Sequence, residues 1–354
     1  MILTVVGARP QFVKAAVVSK ALYEAGIPEE IIHTGQHYDE KMSAVFWQEL
    51  GLPKIANNLQ VGSGSHAVQT AEMMVKIESF LLQNPGRYRY MMVYGDTNST
   101  LASALVAAKF PMKLIHIESG LRSFNRSMPE EVNRIVTDQL SDILFCSSEH
   151  GIEQLQHEGI RSNVYNCGDV MQDAVLTFLP VALEHDRSGE RFYSSKGQYS
   201  LLTLHRPSNV DDPDTLKRIF ERLAALEENF IWPVHPRVGG RIAGIRIPDN
   251  IRRMEPLSYF EMLAAIHFSK KVVTDSGGLQ KEAYWLKKPC VTLRGETEWV
   301  ETLHDRWNVL IKDYDDPAAF KRVFTESVQE NTWHPLYGDG TAAAKIAATL
   351  KSFF

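Results

Sequence analysis

The sequence predicts an α/β protein of two Rossmann-like domains facing a cleft. Three observations predict it. Apolar runs of strand length end repeatedly in small or polar turns that open helices. The same strand–Asp–helix–Pro–strand order recurs at nearly equal spacing, once from Val93 through Asp96 and Pro111 to Glu118, and again from Val273 through Asp275 and Pro289 to Arg294. At 354 residues the chain exceeds one typical core, so two domains are expected.

In order along the chain, 2–6 is a continuous apolar strand ending in Gly7-Ala8-Arg9-Pro10, and an amphipathic helix follows over 11–24. This opening lacks GxGxxG, so no dinucleotide cofactor is indicated. Residues 31–34 form the next strand, followed by the loop 35–39, a Gly/Ser loop over 61–65 and a helix over 69–83. Strand 90–94 ends at Gly95-Asp96-Thr97-Asn98, and an Ala-rich helix runs over 99–109 until Pro111 breaks it. Strand 113–117 leads to Glu118-Ser119-Gly120-Leu121-Arg122. Helices over 130–141 and 149–158 alternate with strands 143–146 and 164–166. A helix over 170–183 leaves the first domain, and the polar, aperiodic 184–198 reads as an inserted loop. Strand 199–204 restarts the pattern and ends at His205-Arg206-Pro207. A helix over 212–227, strands 230–234 and 251–253, and a helix over 259–267 lead to the strand before Asp275. The closing helix, 341–354, crosses back to the first domain. The expected division is therefore 1–169 with 341–354, and 170–340.

Composition narrows the function. The hydrophobic share of 44% and charged share of 23% are ordinary for a globular protein. A net charge of -5 with pI near 6.2 argues against nucleic acid or an anionic membrane as partner. The three cysteines and twelve histidines show no CxxC, Cys/His or HExxH spacing, so free thiols and no metal site are expected. Met1 leads straight into a strand and no apolar run reaches membrane-spanning length; a cytoplasmic protein is expected.

The chemistry concentrates at strand ends. In the stretch 272–283, two glycines let the backbone approach a ligand and take φ values other residues resist. Ser276, Gly277 and Gly278 open a helix whose free N–H groups and dipole favour an anion. Glu282, six residues past Ser276, is within reach of ribose hydroxyls. The alternative is an Asp/Ser cap on an ordinary Gly-Gly turn. Asp96, Glu118, Glu131 and His205 stand at strand ends or helix starts. Two carboxylates near one carbon work as base and acid if burial separates their pKa values. Against this, acids in a first helical turn complement the dipole, which accounts for one of Glu130 and Glu131. Glu118 has the alternative of a salt bridge with Arg122 or Arg134. His205 is suited to phosphate or to a proton, or is a core histidine. Arg9 is placed for a diphosphate, and His235 is structural or lines the cleft.

The ordered motifs Gly7-Ala8-Arg9-Pro10-Gln11, Thr34-Gly35-Gln36-His37, Gly95-Asp96-Thr97, His116 to Arg122, Pro129 to Arg134, His205-Arg206, Val234-His235-Pro236, Thr274 to Gly278, Thr297-Glu298 and Tyr337 to Gly340 span essentially the whole chain. On them the sequence resembles the non-hydrolysing UDP-N-acetylglucosamine 2-epimerases. That resemblance implies a glycosyltransferase-B type fold, a homodimer, and inversion of C2 of a UDP-2-acetamido sugar without metal or nicotinamide. UDP leaves by C1–O cleavage as the C2 proton is removed, a 2-acetamidoglucal forms, and UDP re-adds with the proton on the other face. It further implies Asp96, Glu118 and Glu131 as catalytic acids and His205 as the group acting on UDP. Arg9, Ser276, Gly277, Gly278 and Glu282 then hold the nucleotide, with the Met262 backbone at uracil. Gln36, His37 and His235 match a second, activating UDP-sugar site of some members.

Three departures qualify it. Ala8 and Gln11 stand where Thr and Glu are usual, Pro207-Ser208 replaces a segment carrying a glutamate, and Trp299-Val300 replaces Arg-Pro. These forms resemble the subgroup acting on UDP-2,3-diacetamido-2,3-dideoxyglucuronate. A retaining glycosyltransferase of the same fold, or a nucleotide-sugar binding protein without turnover, are the competing classes.

Overall fold

In the computed structural model, residues 1–36, 47, 50–53, 55–242, 244–297, 299–326 and 332–354 are described. The chain forms two compact units, Met1–Ala174 with Tyr337–Phe354, and Val175–Leu336. Each is built on one parallel sheet covered by helices.

The sheet of the first unit comprises β1 (Ile2–Val6), β2 (Glu29–His33), β3 (Ile55–Asn58), β4 (Tyr90–Tyr94), β5 (Lys113–Ser119), β6 (Ile143–Cys146) and β7 (Val164–Asn166). Its order is β3-β2-β1-β4-β5-β6-β7, with every pairing parallel. β1, β4 and β6 are buried along their whole length, because helices on both faces require uninterrupted apolar strands. The order reverses between β1 and β4, so a crevice opens at their carboxyl ends, the usual ligand position in such sheets. Gly7–Arg9, Asp96 and Glu118 belong to that rim.

The second sheet comprises β8 (Ser200–Thr203), β9 (Phe230–Pro233), β10 (Ile251–Met254), β11 (Val272–Thr274), β12 (Cys290–Thr292) and β13 (Asn308–Leu310). Its order, β10-β9-β8-β11-β12-β13, reverses between β8 and β11. His205 follows β8 and Asp275 follows β11, side by side at that second reversal.

The polar stretch expected as a loop over 184–198 is different. The helix runs Val170–Gly189, past Pro180, and a short 3-10 turn follows at Tyr193–Ser195. Asp186 accepts from the amides of Phe192 (3.1 Å) and Tyr193 (2.8 Å), and Phe192 is fully buried. One aromatic anchor and one capping carboxylate order a segment whose average polarity suggested none. β3, with exposed Ala56, Asn57 and Asn58, carries no apolar period and is an addition to the sequence reading.

The last helix, Ala342–Lys351, packs on the helix Arg9–Glu24. Asp173 caps it by accepting from the amides of Ala342 (3.1 Å) and Ala343 (2.7 Å), satisfying two of its orphan donors. The Tyr90 hydroxyl donates to the Phe353 carbonyl at 2.7 Å. Among the described residues no helix is long and apolar enough to cross a membrane.

Candidate active site

The first unit gathers charge beside its sheet reversal. Arg134, on the helix Pro129–Leu140, places one guanidinium nitrogen 2.7 Å from Asp96 and 3.2 Å from Glu118. Lys14, buried on the helix Arg9–Glu24, ion-pairs with the other Glu118 oxygen. Glu118 does not simply end its strand. It sits at a β-bulge, where the pairing with β6 skips from Ile117 to Ser119, and its φ is +68°. Such a conformation is strained for a residue with a Cβ and commonly marks a functional position. Burial raises the Asp96 carboxyl above its ordinary range; Arg134 opposes this and Glu118 adds to it. Two carboxyls thus share one guanidinium, and the one on Asp96 is raised toward the protonated form.

Glu131 is placed otherwise. Buried near the start of its helix, it accepts from the Ser123 amide (2.8 Å), the Ser123 hydroxyl (2.9 Å) and the Phe124 amide (3.0 Å). These hydrogen bonds clamp the loop 123–124 and are not made to the Asp96–Glu118 cluster. Arg9 is exposed at the first position of its helix, directly after β1. Gln36 accepts from the Ser99 amide (3.1 Å) and hydroxyl (2.6 Å), tying the turn after β2 to the helix Asn98–Ala107. His37 and Glu298 lie outside the described residues.

In the second unit, Asp275 is fully buried and turns toward β8. It accepts from His205 Nδ1 at 3.0 Å, the Arg206 amide at 3.0 Å and Asn209 Nδ2 at 3.2 Å. Burial pushes this carboxyl up, but these partners outweigh it and hold it below the ordinary carboxylate range. Asp275 therefore orients His205; it does not cap the following helix. The His205 and His235 rings lie 5.5 Å apart. The helix Gly277–Trp285 has Ser276 at its N-cap, and the Ser276 side chain makes no capping bond among the described residues. Neither Gly277 nor Gly278 has positive φ, which corrects one expected reason for them. The other stands open: a Cβ on Gly278 would meet nothing within 4 Å. Glu282 is buried, and its carboxyl is pushed up to about 7 by burial, partly offset by Lys281. Met262 lies on the helix Tyr259–Phe268, partly buried against that unit's core, its amide bonded to Ser258 O at 2.9 Å.

Sequence reasoning missed Lys14 and the aim of Asp275. A lysine inside an amphipathic helix carries no signal of its own. Asp275 had one, in the echo that set it opposite Asp96.

The family model described as UDP-N-acetylglucosamine 2-epimerase matches residues 20–351. The chain belongs to the UDP-N-acetylglucosamine 2-epimerase family. Among its epimerase relatives, a UDP-N-acetylglucosamine 2-epimerase homolog of Methanococcus maripaludis is 43% identical over 99% of both chains. The UDP-2,3-diacetamido-2,3-dideoxy-D-glucuronate 2-epimerase of Pseudomonas aeruginosa is also 43% identical, over 99% of both. The crystal structure of Methanocaldococcus jannaschii UDP-GlcNAc 2-epimerase in complex with UDP-GlcNAc and UDP is 36% identical. It superposes with a TM-score of 0.89 over 99% of this chain and 100% of that one. The present epimerase thus shares the glycosyltransferase-B-like, two-sheet architecture of that fold.

Proposed function

We propose that this epimerase interconverts UDP-GlcNAc and UDP-ManNAc by elimination and re-addition of UDP through a 2-acetamidoglucal. The observation that carries the mechanism is the Asp96–Arg134–Glu118 cluster, two carboxylates on one guanidinium at 2.7 and 3.2 Å. One carboxylate removes the proton from C2 while the C1–O bond to UDP breaks. The glucal then turns, and a carboxylic acid returns a proton to the opposite face as UDP re-adds at C1. Lys14 and Arg134 hold Glu118 and Asp96 in place. Glu131 is the third catalytic acid of the set, and it also holds the loop 123–124 on the sugar side. His205, steered by Asp275, acts on the diphosphate as it departs. Arg9 and the open turn Ser276–Gly278 hold the phosphates, Glu282 accepts the ribose hydroxyls, and the Met262 backbone faces uracil. Gln36, His37 and His235 are the candidates for a second UDP-sugar. We propose a cytoplasmic homodimer, as in the family it belongs to, with no cofactor.

A second reading has its own support. Pro207-Ser208 and Trp299-Val300 resemble the subgroup acting on UDP-2,3-diacetamido-2,3-dideoxyglucuronate. The relative of that name is 43% identical, against 38% for a UDP-N-acetylglucosamine 2-epimerase of Methanocaldococcus jannaschii. Supplying each UDP-sugar alone, without acceptor, and resolving the C2 epimers tests both. Turnover of UDP-GlcNAc supports the first reading, and turnover of the diacetamido uronate alone supports the second. A requirement for an acceptor in both cases would point to a transferase.

A further inference from the structure

One buried ionic group has no part in the proposed chemistry. His116 lies in the middle of β5 and is fully buried. Its Nδ1 is 2.7 Å from Asp138 Oδ1, and its Nε2 is 2.8 Å from the Gly95 carbonyl oxygen. A carbonyl only accepts, and an ionised carboxylate only accepts. The other Asp138 oxygen receives the Gly120 amide at 3.1 Å and Arg122 Nη1 at 2.7 Å. Burial pushes Asp138 up, but His116 and Arg122 outweigh it and keep the carboxyl below its ordinary range. A proton placed on Asp138 instead would neutralise the acid beside Arg122, against the local charge. Each ring nitrogen of His116 therefore needs its own hydrogen.

We propose that His116 is a positioning residue held as an imidazolium, which with Asp138 fixes the two backbone turns that carry Asp96 and Glu118. Gly95 immediately precedes Asp96, and the imidazolium holds its carbonyl. Gly120 follows Glu118 by two residues, and the Asp138 carboxylate holds its amide. The strained bulge at Glu118 lies between these two tethers. A single buried ion pair thus grips both carboxylate-bearing turns without touching either carboxylate. Around His116, Asp138 is in direct contact, Arg122 is bound to Asp138 at 2.7 Å, and Glu158 is bound to Arg122 at 2.6 Å. Cys146 lies beside Ser119 on the neighbouring strand, Arg134 is on the same helix as Asp138, and Asp96 and Glu118 lie at the strand ends.

The inference rests on the reading of Asp96 and Glu118 as the carboxylates at the sugar. Long-range nitrogen–proton correlation of the histidine rings in the whole protein tests its core independently. The His116 ring should show two protonated nitrogens under assay conditions, with no neutral-tautomer pattern. A neutral tautomer overturns the proposal. In the second arm, His116→Gln loses one of the two tethers. Turnover should fall about 10- to 100-fold with the KM for UDP-sugar and the affinity for UDP held within a few-fold. A folded His116→Gln protein with unchanged kcat, or one that loses only UDP affinity, overturns it. Should that variant fail to fold, the ring spectrum still decides. If the parent protein shows no proton exchange at C2, the functional reading fails while the ring spectrum still answers for His116.

Discussion

Glu118 occupies the most constrained position in the proposed chemistry. It carries a strained φ and touches two cations, Lys14 and Arg134. Glu118→Gln keeps the volume but cannot pair with both, so turnover should fall ~10²–10⁴-fold with UDP affinity retained. Steady-state kinetics beside UDP titration checks this, and near-parent turnover would remove Glu118 from the reaction. Glu131→Gln should also depress turnover with UDP affinity kept, through loss of the clamp on Ser123 and Phe124. Glu282 gives a prediction in pH. Its folded pKa lies above the usual carboxyl value, near 7, so the folded state binds more protons than the unfolded one between about 4.5 and 7. Stability should therefore fall as pH rises through that window, and denaturation midpoints of Glu282→Gln should not show that fall. Ribose hydroxyls donating to the carboxylate favour its charged form. UDP affinity should then rise with pH through 7 in the parent protein and stay flat in the variant. At this scale the sequence exposed the acids and offered Arg134 as a partner for Glu118, but not Lys14. Asp96 and Glu118 announce themselves by ending apolar runs, whereas Lys14 is one of many helical lysines, and only the fold turns it inward.

The turns that end strands give the predictions at the scale of elements. Gly120 has φ +82°, and a Cβ there would meet the Gly151 carbonyl oxygen at 2.3 Å. Gly120→Ala should destabilise the first unit by at least ~1–3 kcal/mol, read as a lowered denaturation midpoint. Gly278→Ala is the contrast. Its Cβ would meet nothing of the protein, so stability should hold while UDP binding weakens, because the methyl would intrude where the phosphates approach. Loss of stability with unchanged affinity would take that turn out of the nucleotide site. The helix Pro207–Val210 places Asn209 on Asp275 and carries Ser208 where the family's glutamate is usual. With that anionic arm gone, activation by a second UDP-sugar should be weak: rate against substrate should be hyperbolic, and a sigmoidal curve would contradict this. The apolar strands and the helices after them were legible because buried parallel strands must be continuously apolar. β3 and the end of the helix Val170–Gly189 were not, since one is an exposed polar strand and the other is held by Phe192 and Asp186.

At the scale of the whole molecule, the two sheets repeat one plan, each with its loaded turns at the reversal of strand order. That duplication was visible in the sequence as the twin strand–Asp–helix–Pro–strand runs, while the pairing of strands across each sheet needed the structure. Family membership predicts a homodimer, which light scattering of the full chain checks; a monomer at assay concentration would contradict it. The central claim is that the C2–H bond breaks and re-forms on the protein. The most direct measurement incubates the epimerase with the UDP-sugar it turns over, in heavy water and without acceptor, and follows the C2 proton by NMR. Deuterium should enter C2 of the product, the C2 proton signal should fade from the returning substrate pool, and both changes should slow ~10²–10⁴-fold with Glu118→Gln. Epimer formed with the C2 proton fully retained would contradict it.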